Sequence, residues 1–424
     1  MRLRRHSHSH PRLPSQHLAP PAQQQQQVCQ EPAPHACAAM LSRRWQVFSR
    51  RASTWFSGAG GAISFLGMDR AYPQDRRQTI DPQAWAMADV QDAPSAPTSL
   101  TVALESDARC KLVVQLSGRE PDPQTPVLFF LAGFPDDHGS WHALAPRFTG
   151  THTVAVACWP GLELKDRTLG GGGLTKRFGF THAQVVAVVA QALRSVSPHA
   201  PVNFVAHDWG CYAMYGCVRA HPELIRTTVA IDVGMFKGGG PGIFVLLVIL
   251  CYQLWFVLAF LVSQAVPCRL CNAIGDVMLG VFPYQLIGPC PHERNVPRHV
   301  REVHAWMCYP YLHLHWGMLA GTLPPIGFPP SRGIPLLYVY GARKRAMFHS
   351  PGFLRSIEAA GEGGDGSRYH GFPGCGHWVQ TQEPEALELE IRSFLSEAKP
   401  GVAASKLAAQ AEAMTKKKKN AKSN

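Results

Sequence analysis

The strongest constraint on the fold is an alternation of short, almost wholly apolar β-type runs with helix-length amphipathic segments. An apolar run at residues 127–132, for example, is followed by another at 153–157, a helical pattern at 181–196 and a third run at 202–205. Strands buried on both faces are continuously apolar, because helices cover both sides of the sheet. The pattern therefore predicts an α/β protein with a mostly parallel central sheet flanked by helices. Other such runs lie at 99–104, 110–116, 229–231, 335–340 and 368–372, and other helical patterns at 211–220, 350–360 and 383–395.

Composition divides the chain into five parts. Residues 1–95 are a low-complexity basic arm, which we predict to be disordered because it has little to bury in a core. Residues 96–234 and 331–397 are predicted to form the two halves of the α/β core. Residues 235–330 interrupt the alternation and are predicted to be an insertion, and residues 398–424 a disordered Lys-rich tail.

The formal charge of +12 lies at the two ends of the chain. Residues 1–77 contain 11 Arg and three acidic residues, and residues 396–424 contain seven Lys and two Glu, so the remainder is close to neutral. A nucleic-acid groove needs a basic excess on the folded body, so we predict no nucleic-acid partner. The tail is interpreted as solvated, with an anionic membrane surface as its functional alternative.

The stretch from Met40 to residue 67 contains four Arg, several aromatic residues and no acid. This composition is typical of an organelle transit segment, mitochondrial or plastid. Since 39 residues precede Met40, that interpretation needs translation to begin there; the alternative is a basic amphipathic arm without a targeting role. The sequence leaves the compartment open between these and membrane association.

The cysteines do not form a convincing metal motif. Cys268 and Cys271 have C-x2-C spacing, but the later Cys290 and Cys308 are isolated from each other. A structural zinc site usually needs a second closely spaced pair of ligands. We therefore predict no metal.

The segment with most chemical meaning is 203–211, Asn-Phe-Val-Ala-His-Asp-Trp-Gly-Cys. An apolar run ends in a small-x-Asp-x-small motif and a helical pattern starts at once, which is the layout of a nucleophile elbow with Asp208 at its apex. Ala206 and Gly210 are small because a tight strand-to-helix turn leaves little room. An aspartate carboxyl group, with a reference pKa near ~3.9, is ionised at neutral pH and can attack an alkyl carbon without a base.

His207-Asp208-Trp209-Gly210 resembles the elbow of the epoxide hydrolase and haloalkane dehalogenase branch of the α/β-hydrolase superfamily. Two further segments match in chain order: Ala-Gly-Phe-Pro-Asp at 132–136, followed by Ser-Trp, resembles the family's H-G-F-P loop, and Gly-His-Trp-Val-Gln at 376–380 resembles its histidine loop. The resemblance covers about residues 98–397, except most of the insertion. It implies an α/β-hydrolase fold with an inserted helical apolar lid, and an enzyme without a metal or organic cofactor.

The resemblance also implies roles for individual residues. His377 is the base that activates water, and the backbone N–H groups of Phe134 and Trp209 are the oxyanion donors. In many relatives an acid that orients the histidine follows the strand ending here at Gly341, but this chain has Ala-Arg-Lys-Arg in that place. We predict that Asp232, which follows the strand at 228–231, takes this role. Asp365 and Glu358 are weaker candidates.

Epoxide hydrolases of this family use lid tyrosines to donate hydrogen bonds to the epoxide oxygen. The candidates here are Tyr252, Tyr284, Tyr309 and Tyr311, and the last two lie where a lid returns to the core. Phe134 occupies the place where dehalogenases often carry Asn, which favours epoxides over haloalkanes. A haloalkane dehalogenase-like hydrolase is the first alternative. A catalytically decayed, membrane-associated hydrolase-fold protein is the second, supported by the basic residues after Tyr340.

Residues 242–262 are apolar and long enough to cross a bilayer, and no charged residue lies between Lys237 and Arg269. A single crossing would place Asp208 and His377 on opposite sides of the membrane. We therefore predict a lid helix or helix pair, buried against the core or dipped into one leaflet. The predicted partners are a small lipophilic substrate and a membrane surface; the sequence does not indicate an oligomeric state.

Overall fold

The computed structural model describes residues 95–120, 127–163, 176–239, 243–266, 268–281, 303–344 and 347–399. All of them belong to one compact unit, Pro73–Asn424. The predictions for the basic arm, the transit segment, the Lys-rich tail and Tyr284 fall outside these described residues.

The core of the unit is one eight-stranded sheet in the order β1-β2-β4-β3-β5-β6-β7-β8. Strand β2 pairs antiparallel with both β1 and β4, and all other neighbours are parallel. The mostly parallel sheet predicted from the sequence is therefore confirmed. The strands are β1 (Ser95–Leu104), β2 (Asp107–Gly118), β3 (Val127–Leu131), β4 (Thr153–Ala157), β5 (Val202–His207), β6 (Ile225–Ile231), β7 (Leu336–Gly341) and β8 (Arg368–Phe372).

The central strands are apolar along their length because they are covered on both faces. Every residue of β3, β4, β5 and β7 is buried. The parallel strands β3, β5, β6 and β7 are consecutive neighbours, so their carboxyl ends meet at one edge of the sheet. In open α/β sheets that edge is where ligands bind.

Helices cover the sheet and begin where the sequence favours it. Thr181, for example, starts the first helix with a capping box: its hydroxyl accepts from the Gln184 backbone N–H, while the Gln184 side chain accepts from the Thr181 N–H. Among the described residues, the helices of the core are α1 (His182–Val196), α2 (Trp209–Ala220), α6 (Pro351–Glu362), α7 (Val379–Gln382) and α8 (Pro384–Glu397). Those described between β6 and β7 are α3 (Ile243–Ala265), α4 (Arg269–Val281) and α5 (Tyr309–Ala320).

Helix α3 contains the apolar segment noted in the sequence. Its stretch Leu246–Ala265 is long and apolar enough to cross a membrane, with a mean hydropathy of 2.4, yet only 28% of the window is buried. One side of the helix, including Tyr252, Phe256 and Phe260, is buried against the rest of the protein. The opposite side is exposed, so the helix has two different apolar faces.

Candidate active site

Asp208 lies at the sharp turn between β5 and α2. Its backbone has φ 53° and ψ −124°, a conformation that is strained for a residue with a side chain. Gly210 permits the close approach of α2, since a Cβ there would lie 2.3 Å from the Leu131 carbonyl oxygen. The turn therefore places a carboxylate at the carboxyl edge of the sheet, as the motif predicts.

His377 lies between Asp208 and Asp232, although 145 residues separate His377 from Asp232 in the chain. Its Nε2 is 3.4 Å from Asp208 Oδ2, and its Nδ1 is hydrogen-bonded to Asp232 Oδ2. Asp232 follows β6, and His377 lies in the loop after β8. Burial disfavours the charged imidazole, but the two carboxylates outweigh burial and raise the pKa of His377 to about 10.

The loop that carries His377 lies directly against the end of β7. A Cβ at Gly341 would be only 1.8 Å from the Gly376 carbonyl oxygen, so a larger residue would push the histidine loop away. The Gly341 N–H also donates to Asp232 Oδ1 over 3.3 Å. Gly341 therefore helps to hold both members of the His377–Asp232 pair.

The basic segment after β7 brings Lys344, and not an acid, to this site. Lys344 Nζ lies 2.5 Å from Asp232 Oδ1, and the lysine side chain is only 7% exposed. Burial opposes ionisation of Asp232, but Lys344 and His377 outweigh it and lower the pKa of Asp232 to about 2. In the sequence these bases stand where a carboxylate is expected, and nothing in the sequence indicates that one of them contacts Asp232.

A second buried carboxylate, Asp136, joins the three loops of the site. It accepts from the Trp378 indole N–H at 3.0 Å and from the Ser140 hydroxyl at 3.0 Å, and its Oδ2 lies 3.0 Å from His207 Nδ1. His207 Nε2 is in turn 3.0 Å from the His377 carbonyl oxygen. Asp136 lies in the Ala-Gly-Phe-Pro-Asp motif, but this network is not predictable from the sequence because His207 and Trp378 are distant from Asp136 in the chain.

The loop after β3 brings the Phe134 backbone N–H, one of the two predicted oxyanion donors, next to Asp208. The Phe134 N–H donates to Asp208 Oδ1 over 2.9 Å. A Cβ at Gly133 would lie 2.2 Å from the Trp209 amide nitrogen and 2.8 Å from Asp208 Oδ1, so glycine keeps this space open. Both predicted donors therefore lie beside the carboxylate, with Phe134 bonded to one oxygen and the other oxygen facing His377.

Two of the four candidate tyrosines lie near the residues that flank the carboxylate. Tyr252 of α3 and Tyr311 of α5 have ring centroids 6.2 Å apart, and the charge of Asp208 acts on both hydroxyls. Tyr311 also packs 5.3 Å from Phe134 and 5.1 Å from Trp209. Burial raises the pKa of both phenols above their ordinary value, so they stay protonated and able to donate.

Tyr309, favoured in the sequence analysis together with Tyr311, is placed differently. Its side chain is fully buried, and its hydroxyl donates to the Pro160 carbonyl over 2.6 Å. A helix turns by about 100° per residue, so neighbours two apart point in different directions. Sequence position near the end of the insertion does not distinguish the two.

Within the part of the chain that the structure describes, no group of three or more His, Cys, Asp or Glu side chains is placed to hold a metal ion. Cys268 and Cys271 are free, and Cys308 is buried and free. Cys290 lies outside the described residues.

No family model matches the chain, and no curated protein matches its sequence. Solved structures are similar at low identity. An AqdC variant in complex with its substrate, studied for ring cleavage of the Pseudomonas quinolone signal, is 17% identical with a TM-score of 0.47, covering 72% of this chain and 100% of that chain. A proposed epoxide hydrolase from Pseudomonas aeruginosa is 16% identical (TM-score 0.46, 74% and 97% covered). A haloalkane dehalogenase DbeA loop variant from Bradyrhizobium elkanii is 15% identical (TM-score 0.46, 76% and 100% covered).

These proteins differ in activity, and similarity at this level assigns none of their activities to this chain. The strand order and the strand–turn–helix at Asp208 define the class: the chain is an α/β-hydrolase-fold protein with aspartate at the elbow position.

Proposed function

We propose that the protein is an enzyme of the epoxide hydrolase type that acts on lipophilic epoxides through an alkyl-enzyme ester at Asp208. The observation that carries the proposal is the position of His377, whose two ring nitrogens face Asp208 and Asp232. An imidazole between a nucleophile and an orienting acid is the arrangement that nucleophilic catalysis needs.

In the first step Asp208 Oδ2 attacks an epoxide carbon, and the carbon–oxygen bond of the ring breaks. Asp208 Oδ1 stays hydrogen-bonded to the Phe134 N–H, which fixes the carboxylate for attack through its other oxygen. The departing oxygen becomes an alkoxide and takes a proton from Tyr252 or Tyr311. His377 then gives its own proton to that tyrosine. The charges balance, because the ester, the alcohol and the imidazole are then all neutral.

Formation of the ester also converts His377 into a base. The Asp208 charge is one of the two influences that raise the pKa of His377, and esterification removes it. The neutral imidazole can then accept a proton from a water molecule that attacks the ester carbonyl carbon. The negative charge that develops on Oδ1 is stabilised by the Phe134 N–H. The bond between the Asp208 carbonyl carbon and Oδ2 breaks, and the diol leaves with Oδ2 and takes the proton back from His377. The new carboxylic acid of Asp208 then gives its proton to His377, which restores the carboxylate and the imidazolium of the starting state.

Dehalogenation is less well supported by the same surroundings. Phe134 contributes only an aromatic side chain, which packs 5.8 Å from Phe256. Trp209 could donate one indole N–H to a halide, and its ring packs 5.1 Å from that of Tyr311. Leaving halides need such donors, whereas a pair of phenols suits an epoxide oxygen.

Product analysis on a panel of lipophilic epoxides and chloroalkanes tests the proposal. We expect diols from epoxides and no release of chloride. Release of chloride without diol formation would favour the dehalogenase alternative. Absence of both products, together with no covalent adduct on Asp208, would favour the catalytically decayed alternative.

The tyrosine pair predicts a graded loss of ring opening. Tyr252→Phe and Tyr311→Phe should each slow formation of the ester about 10- to 100-fold, since each removes one proton donor, and the double variant should lose more than either. Single-turnover formation of the adduct measures this step directly. Tyr309→Phe is the matched control: it removes the bond to Pro160, at a cost of about 1 kcal/mol in stability, but should leave ring opening unchanged.

A further inference from the structure

The side of α3 that faces away from the core is uniformly apolar. Its exposed large side chains, which we call the outer face, are Ile243, Leu246, Leu247, Leu250, Leu254, Leu258 and Leu261. Ile243 is 72% exposed and Leu247 is 51% exposed. Isolated exposed leucines are common, but a continuous apolar face of this length marks an interaction site.

The opposite side of the same helix fixes its position. Tyr252 and Phe256 are buried and pack against Tyr311, and Phe256 also packs against Phe134 beside Asp208. Burial at successive turns holds α3 lengthwise on the body of the protein. It therefore has the hydropathy of a membrane-spanning helix, but only its outer half is available to lipid.

The neighbouring helices extend the apolar surface. Helix α4 is tied to α3 by the Trp255 indole N–H, which donates to the Met278 carbonyl over 2.8 Å. It exposes Leu270, Ile274 and Val277 at helical spacing, and α5 exposes Trp316 and Leu319. The exposed apolar area is thus shared by the three helices that the structure describes between β6 and β7.

Cationic side chains lie at both ends of the outer face. Exposed Lys237 precedes α3, exposed Arg269 begins α4, and the Arg177 Nε donates to the Gln264 carbonyl at the end of α3 over 3.0 Å. The sequence from 235 to 281 contains one acid, Asp276, whose carboxylate is bonded to His304 and to the Ala305 N–H. An apolar strip with cations at its ends is complementary to lipid chains below anionic headgroups.

We propose that the outer face inserts to shallow depth into one leaflet of an anionic bilayer, with α3 parallel to the membrane plane. Protein interfaces favour Tyr, Trp and Arg in their centre and have a polar rim, whereas this face consists of Leu and Ile. The helix that contacts lipid on one side also contributes Tyr252 on the other. Lipophilic molecules in the leaflet would then meet the protein next to Asp208, a consequence that rests on the proposed function.

Vesicle flotation of the full chain tests the membrane contact without turnover. The vesicles contain phosphatidylcholine with about 30% phosphatidylserine, and they are used at low salt and at about 0.5 M NaCl, where salt screens the basic arm and tail. The triple variant Leu250→Glu, Leu254→Glu, Leu258→Glu should float at least about tenfold less than the wild-type protein under both conditions. Thr101→Glu, Gln115→Glu, Ser195→Glu adds the same charge at exposed positions elsewhere and should float like the wild type.

Three outcomes would overturn this proposal. The first is that the wild-type protein does not float with the vesicles at either salt concentration. The second is a triple variant that floats like the wild type, which would assign binding to the termini. The third is a wild-type dimer in solution that does not float and becomes monomeric in the triple variant, which would make a second copy the occupant of the face. Each can occur whether or not the protein hydrolyses epoxides.

Lys344 lies between the Asp232 carboxylate and an aromatic ring, away from the outer face. Its Nζ contacts Asp232 Oδ1 and lies 5.1 Å from the centre of the Phe348 ring, while Asp232 Oδ2 is bonded to His377. Two cationic partners thus share one fully buried carboxylate. Besides Asp232, the titratable groups of the described residues that face His377 or Lys344 are Asp208, His207, His349 and Cys211.

We infer that Lys344 is a positioning residue that neutralises Asp232 and so limits how tightly the Asp232–His377 pair holds its proton. Without the ammonium group, Asp232 would hold the imidazolium form of His377 more strongly, and water activation would require a higher pH. The basic segment after β7 would then accompany an orienting acid that follows β6, and its presence would not be a sign of a lost activity. This inference rests on the proposed function.

The pH profile of kcat tests it. Lys344→Met should move the acidic limb of the profile upward by about one pH unit or more, because the pKa of His377 rises when the neighbouring positive charge is removed. Lys344→Arg keeps the charge and should restore the wild-type limb. An unshifted limb in a folded Lys344→Met protein would contradict the inference.

If Lys344→Met does not fold, the double variant Lys344→Met, Asp232→Asn removes both buried charges. Recovery of a cooperative thermal transition in the double variant would support charge neutralisation, since a buried charge without its partner is strongly destabilising. Continued failure to fold would overturn it. If the wild-type protein itself does not hydrolyse epoxides, that result would count against the proposed function. The stability comparison would remain valid, because it needs no turnover.

Discussion

Replacement of Asp208 by Ala should abolish epoxide hydrolysis, with a loss of at least about a thousandfold, or roughly 4 kcal/mol in activation free energy. The variant has no oxygen that can form the ester. In the described structure Asp208 is the one carboxylate that lies next to both His377 Nε2 and the Phe134 N–H, so no other carboxylate can take its place. Initial rates of diol formation measure the effect.

Two measurements make the Asp208 result decisive. Glu358→Ala removes an exposed carboxylate that accepts from the Tyr369 hydroxyl over 2.7 Å, and it should leave the rate within twofold. A thermal transition close to that of the wild-type protein verifies that Asp208→Ala is folded. Retention of more than a tenth of the activity in the folded variant would refute the assignment of the nucleophile.

Replacement of His377 by Gln should separate the two chemical steps. Asp208 and the tyrosines remain in place, so the ester still forms, but no base activates water to hydrolyse it. We expect steady-state turnover to fall at least about a hundredfold while about one substrate molecule per protein becomes covalently bound. Mass spectrometry of the peptide that contains Asp208 detects the adduct.

The control for the trapped ester is the double variant His377→Gln, Asp208→Ala, which should form no adduct. In wild-type protein, one turnover in ¹⁸O-water should place the label in the Asp208 carboxylate and not in the diol, because water attacks the ester carbonyl carbon. Label in the diol after a single turnover would exclude the ester mechanism, whatever the activity of the His377 variant.

Much of the fold could be predicted because its signals are local. The apolar runs at 127–132 and 202–205 became β3 and β5, and the small residues around Asp208 encoded a turn whose backbone is indeed strained. The predicted pairing of Asp232 with His377 has the geometry expected, since both follow strands that end at the same edge. That prediction rested on the resemblance to the family and on the position of Asp232 at the end of a strand.

Other features of the site depend on side-chain direction and could not be predicted. Tyr309 and Tyr311 are two residues apart in the same helix, yet Tyr309 is bonded to Pro160 and Tyr311 packs against Trp209, the residue after Asp208. Lys344 stands in the sequence where an acid is expected, and none of its neighbours in the chain indicates that its side chain reaches Asp232. Asp136 gave no signal, since His207 and Trp378 approach it only after the sheet has formed.

The sequence by itself determined the α/β alternation, the turn that displays Asp208 and the apolar character of α3, because each arises from residues that are neighbours in the chain. Only the tertiary structure decided which side of α3 is buried, which tyrosine packs against Trp209 and that a buried lysine accompanies the orienting acid. Those outcomes depend on contacts across strands that are far apart in sequence, where packing and desolvation of charge select one arrangement.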